Sequence, residues 1–327
     1  MTSVRRRSYG SYAGPSIIGS EEFDGSGAQE HWDRVLWLTS MVESGGRFGS
    51  ITMYDGTAVT AGLHQAVAVY PRALRYEDWN ATDDQGSFWQ LLRRLEMIPD
   101  FPTLQDLWTA LAAKNWYLAT DSTLRYLADA TVKVKNRSKK VKAGDIVYGA
   151  EIREEFTPNA GKVPARGKAW EQSKAWALLF HAVFADPKSF KAQVSFGREH
   201  FEKVCRHRTL TVSGERKTVE DWVYGGQLEG FRAATDQLDL ALAVWWSHSV
   251  NAPAEAYKIM KRALRSTTPD ADPDKFSRLL LRYLAASKHG RWHFTEKSGR
   301  WQRTRSTAKK VWDSHLFNPG GAMPYRF

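Results

Sequence analysis

The chain has 327 residues, enough for one large domain or two ordinary ones, and 42% of them are hydrophobic, which excludes a disordered protein. Lys and Arg outnumber Asp and Glu by 47 to 36, a net charge of +11, so an acidic partner is favoured: nucleic acid, anionic lipid or a polymer bearing carboxylates. The single cysteine, Cys205, excludes an internal disulfide, and no run reaches the ~18 apolar residues of a membrane span.

Residues 1–26 are rich in Ser, Gly and Arg and read as a flexible N-terminal arm, with no apolar core of signal-peptide length. Synthesis in the cytoplasm without a signal peptide is the expectation. The remainder, 27–327, reads as one catalytic domain with an insertion at 131–164. From Gln29 a helix is expected, because Trp32, Leu36, Thr39 and Glu43 fall on one face with Val35 and Val42 alongside. Glu43 continues this apolar stripe, and a carboxylate so placed is partly dry, which suits a general acid. On position alone a second reading stays open, a glutamate fraying where Gly45-Gly46 halts the helix.

Ile51–Tyr54 and Ala58–Thr60 read as short strands about an Asp55-Gly56 turn. Leu63 to Tyr70 reads as the start of a second helix. The region 87–118 is helical, broken by Pro99 and Pro102, with Leu104, Leu107, Trp108 and Leu111 as a core stripe. Six basic residues lie between Lys133 and Lys142 on an alternating, strand-like run, and a second strand-like run follows, giving a β-rich insertion with a basic strip. The strip could hold an anionic polymer, although a solvated face is the commoner use of such a run. Glu151, Glu154 and Glu155 form a second acidic cluster beside Arg153, for which surface pairing is the simpler account.

From Trp170 the pattern is helical almost to the end, in segments near 168–185, 187–206, 228–249, 253–265 and 273–287. Asp186-Pro187, Asn251-Ala252-Pro253 and Asp272-Pro273 mark the joints. Leu238, Leu242, Trp245 and Trp246 make the most apolar helix and the expected centre of a bundle. His181 and His248 read as core histidines, and no spacing of His and Cys suggests a metal site or a cofactor.

Two carboxylates near a short hairpin suit glycosidic bond hydrolysis: Glu43 as acid, and Asp55, hydrated on its turn, as the second carboxylate. The segment from Glu43-Ser44 through Asp55 to Gly62-Leu63-His64-Gln65 resembles goose-type lysozymes and soluble lytic transglycosylases, with His64 in place of the usual Met. Tyr54-Asp55-Gly56 through Thr60 is similar to the hairpin of T4-type phage lysozymes. The resemblance implies an α+β, predominantly α fold: a lysozyme-like helical lobe with a small β-hairpin beside the catalytic helix. It implies Glu43 as general acid, Asp55 as second carboxylate, Thr60 placing the attacking water, and Tyr54, His64 and Gln65 lining the cleft. The spacing from Glu43 to Asp55 is longer than in the phage type.

These lysozyme folds share their architecture with chitosanases, but the charge of +11 repels cationic chitosan and attracts peptidoglycan. The expected activity is that of a bacteriolytic, peptidoglycan-degrading muramidase, an endolysin released by a phage or an effector carried by a phage-tail-like apparatus. Two rivals stand beside it: a lytic transglycosylase using Glu43 alone, and a non-enzymatic nucleic-acid-binding protein using the basic strip and some of the 14 Trp residues.

Overall fold

The computed structural model describes residues 4–6, 14–19, 21–23, 31–53, 57–70, 85–134, 137–158, 166–224, 235–269 and 271–287. In chain order these hold β1 (Val4–Arg6), β2 (Pro15–Ile17), α1 (His31–Glu43), β3 (Ile51–Thr52), β4 (Thr60–Ala61), β5 (Ala66–Val67), α2 (Ser87–Leu95) and α3 (Pro102–Ala113). There follow β6 (Trp116–Leu118), β7 (Leu124–Tyr126), β8 (Ala130–Val134), β9 (Arg137–Val141), α4 (Gly149–Phe156), α5 (Lys168–Ala185) and α6 (Pro187–Phe201). The last are β10 (Thr209–Val212), β11 (Glu215–Thr218), α7 (Val219–Tyr224), α8 (Thr235–Asn251), α9 (Pro253–Ser266) and α10 (Pro273–Ala285). The class is α+β with helix predominating. No described helix is long and apolar enough to cross a membrane. The chain divides into two compact units, residues 1–22 with 47–196 and residues 23–46 with 197–327.

The first unit is built on a five-stranded antiparallel sheet in the order β1-β2-β3-β4-β5. Its register lines Ile17, Ile51, Ala61 and Ala66 into one row, all buried, and this row faces the core. The period of two then sends Ser16, Thr52, Thr60 and Val67 to the opposite face. Within residues 1–26, β1 and β2 are strands of this sheet, where a free arm was expected. Below the sheet, Phe156 of α4 meets four rings, Trp89, Trp116, Trp176 and Phe180, at centroid distances of 6.3, 6.2, 4.8 and 5.2 Å.

Three local expectations fail in this unit. Residues 63–70 do not open a helix: Gly62 and Gln65 have φ of 76° and 55°, outside the helical region, and Ala66 pairs with Ala61 as a strand. Residues 116–118 are a strand, not a helix end, because Trp116 pairs with Tyr126 across a hairpin. Residues 149–156, read as part of a second strand-like run, form α4, while the first run, read as one strand, folds back on itself as the hairpin β8–β9.

The second unit is helical around α8. Every residue from Leu238 to Ser249 is buried, and α1, α9 and α10 pack on it, the centre expected from its composition. Arg34 of α1 donates to Asp239 of α8 at 2.7 Å, and Asp239 is shielded from water. The hairpin β10–β11, absent from the sequence reading, turns at Ser213-Gly214 with φ of 50° and 90°, both left-handed as a tight two-residue hairpin turn requires.

Candidate active site

In the second unit, α1 is buried on nearly all sides: Trp32, Val35, Leu36, Trp37, Leu38, Thr39 and Ser40 are each less than a tenth exposed. The helix therefore lies inside the unit, and its last residue, Glu43, is only half-buried. Gly45 and Gly46 end the helix with φ of 71° and 72°. The Gly46 N–H returns to the Ser40 carbonyl at 3.0 Å, and a Cβ on Gly46 would lie 2.3 Å from the Met41 sulfur. The left-handed conformation favours glycine there, and any Cβ would displace the flexible Met41 side chain. The Glu43 carboxylate accepts a hydrogen bond from the buried hydroxyl of Ser247, on α8, at 2.5 Å. Ser247 was not singled out from the sequence. Its signal was available, since Ser247-His248-Ser249 interrupts an apolar run at positions that a buried helix keeps dry.

In the first unit, Thr60 lies on the sheet face away from the Ile17–Ala66 row, and its hydroxyl is 3.1 Å from that of Thr57. Gly62 turns the chain between β4 and β5. A Cβ there would meet the Gln193 side-chain oxygen at 2.7 Å, the same oxygen that accepts from the Leu63 N–H at 3.0 Å. Gln193 is itself locked by bonds from its amide to the Phe184 carbonyl and the Ser189 hydroxyl, each 2.8 Å. His64 is half-buried in this turn, and the Gln65 amide donates back to the Gly62 carbonyl at 3.2 Å, closing it. The Gly-Leu-His-Gln segment is thus a braced β-turn. Thr60, His64 and Gln65 come together around β4 and β5; Tyr54 and Asp55, on the β3–β4 connection, lie outside the described residues.

Other titratable groups separate clearly. The Cys205 thiol is buried against the Ser249 hydroxyl at 3.3 Å, and burial pushes its pKa up, the opposite of an activated nucleophile. His248 is buried with its Nε2 3.1 Å from Glu255, the satisfied core histidine expected, whereas His181 is only half-buried, its Nδ1 2.7 Å from the Gly49 carbonyl. The acidic cluster on α4 is not simple surface pairing. Glu155 accepts from Trp176 Nε1 at 2.9 Å and pairs with Lys114 at 2.7 Å. Glu151 accepts from the buried Tyr126 hydroxyl, and burial raises the Glu151 pKa above its ordinary 4.5, with the Glu155 charge adding to the rise.

A carboxyl raised in the fold holds its proton more tightly folded than unfolded, so stability falls as pH climbs from 4.5 through the folded value. Glu151→Gln carries no such penalty. Its stability relative to the wild type is expected to rise between pH 4 and pH 8 in parallel denaturant titrations, and a flat difference would refute that origin.

Set against models of protein families, curated proteins and solved structures, the chain matches none.

Proposed function

We propose that this chain is a glycoside hydrolase of the lysozyme type that cleaves the glycan backbone of peptidoglycan, with Glu43 as general acid. One observation carries the reading. A half-buried carboxylate ends an otherwise buried helix and is aimed by a buried hydroxyl, the partly dry and oriented placement that proton donation to a glycosidic oxygen needs. Asp55 is the proposed second carboxylate, and Thr60 the residue placing water, because the order Glu43, Asp55, Thr60, Gly62-Leu63-x-Gln65 resembles that of lysozymes. The net positive charge supports an anionic wall polymer as substrate. The chain would reach the wall after release through a phage-made pore or by injection.

Zymography on purified sacculi, followed by mass spectrometry of the digest, tests the proposal. Hydrated reducing ends support hydrolysis, anhydro-sugar ends identify transglycosylation, and no lysis removes the reading. Ser247 supplies a sharper prediction. Ser247→Ala is expected to lower kcat about tenfold with little change in KM, the loss of one hydrogen bond to a charged group. Ser247→Thr keeps a hydroxyl and should restore most of the rate. Equal activity of all three proteins would show that the contact does not serve catalysis.

A further inference from the structure

The hairpin β8–β9 in the first unit has two unlike faces. Its register sets Thr131 opposite Lys140, Val132 opposite Lys139, and Lys133 opposite Ser138. One face turns inward: Val141 is in the core, Ala130 and Val132 pack against it, and Lys139 lays its ammonium over the Tyr148 ring at 4.5 Å while bonding the Tyr148 hydroxyl. The other face presents Thr131, Lys133, Ser138 and Lys140, all exposed, and exposed Lys142 continues the alternation beyond β9. Nearby cations are neutralised, Lys114 by Glu155 and Arg125 by Asp121. Among the described residues, no carboxylate lies within ion-pair distance of Lys133, Lys140 or Lys142.

Neighbouring and diagonal side chains on one face of a hairpin stand about 5–8 Å apart, so these like charges repel one another and a counter-anion relieves them. The spread suits anions spaced along a polymer better than one compact phosphate. Hydroxyls of Thr131 and Ser138 between the lysines can bond carboxylates or sugar hydroxyls. No aromatic ring among the described residues stands on this face, so it lacks the stacking platform of single-stranded nucleic-acid binders.

We propose that the outer face of β8–β9 docks the chain on the anionic glycan of the cell wall, its lysines meeting stem-peptide carboxylates. The choice of polymer rests on the wall-degrading reading above; the hairpin belongs to the first unit and Glu43 to the second. The test is co-sedimentation of the full chain with purified sacculi across a salt titration. The wild type is expected to bind with an affinity that falls steeply as salt rises. Combined Lys133→Gln, Lys140→Gln and Lys142→Gln should weaken binding about tenfold at low salt and flatten the salt dependence, as loss of three exposed charge contacts implies. The corresponding three arginine substitutions should keep it.

Cleavage of a short soluble muropeptide oligomer by the triple Gln variant should stay at the wild-type rate. Unchanged sacculus binding by that variant would overturn the docking, leaving the lysines as guards of exposed strand edges. Weakened binding to duplex DNA with sacculus binding intact would also overturn it, assigning the face to nucleic acid. Glu43→Gln should sediment with sacculi like the wild type. If no glycan is cleaved by any of these proteins while the lysine-dependent binding persists, the enzymatic reading fails and the docking stands.

Discussion

Glu43→Gln is expected to cut the rate of glycan cleavage on purified sacculi by about 10²- to 10⁴-fold, the usual contribution of a positioned general acid. Glutamine has nearly the same shape and keeps an oxygen that can accept from Ser247, which lies 2.5 Å from the Glu43 carboxylate. The unfolding midpoint should therefore move little while kcat collapses, separating chemistry from folding. Asp55→Asn provides the comparison. A similar loss supports two-carboxylate hydrolysis, whereas retained activity with anhydro-sugar products assigns acid and base to Glu43 alone. Full activity of Glu43→Gln would remove the proposed mechanism.

Much of the helical architecture was legible because its boundaries are local chemistry. Asp272 caps α10 by accepting from the Lys275 N–H at 2.9 Å with Pro273 following, and Asp186 accepts from the Lys188 N–H at 3.0 Å beside Pro187. Glu43 was legible for the same reason, standing where an apolar stripe meets two glycines. What was hidden depends on pairing with a second segment. Trp116 becomes a strand residue only through Tyr126, and Ala66 only through Ala61, so periodicity within one segment could not decide either. Gln65 takes a left-handed conformation rare for a residue with a side chain, and nothing in its neighbours announces it. Ser247 owes its place beside Glu43 to the packing of α1 on α8 across 204 positions of sequence. The Ser213-Gly214 turn is different: that dipeptide is a recognisable hairpin signal, and it falls between the segments 187–206 and 228–249 read as helical, where no strand was assigned.

Phe156→Ala is expected to destabilise the protein by about 3–5 kcal/mol, the largest stability effect of any substitution considered. The ring is fully buried and belongs to a helix of only eight residues, α4, too short to hold itself by backbone bonds alone. It stands edge-on to Trp116, Trp176 and Phe180, at interplanar angles of 82°, 61° and 85°, and tilted at 32° to Trp89. These rings come from α2, β6 and α5, so Phe156 joins elements that make no sequence-local contact. Removing it leaves a cavity bounded by large aromatic groups, which cannot collapse without leaving their own rotamers. Phe156→Leu separates the two contributions. It restores most of the buried apolar volume but none of the edge-to-face geometry, worth about 0.5–1.5 kcal/mol per aromatic pair. Denaturant titration should place the Leu variant between the wild type and Ala. A Leu variant as unstable as Ala would show that ring geometry, not volume, dominates; an Ala variant within about 1 kcal/mol of the wild type would show that α4 is held elsewhere, through ties such as those of Glu151, Glu155 and the Ser173 hydroxyl to the Phe156 carbonyl.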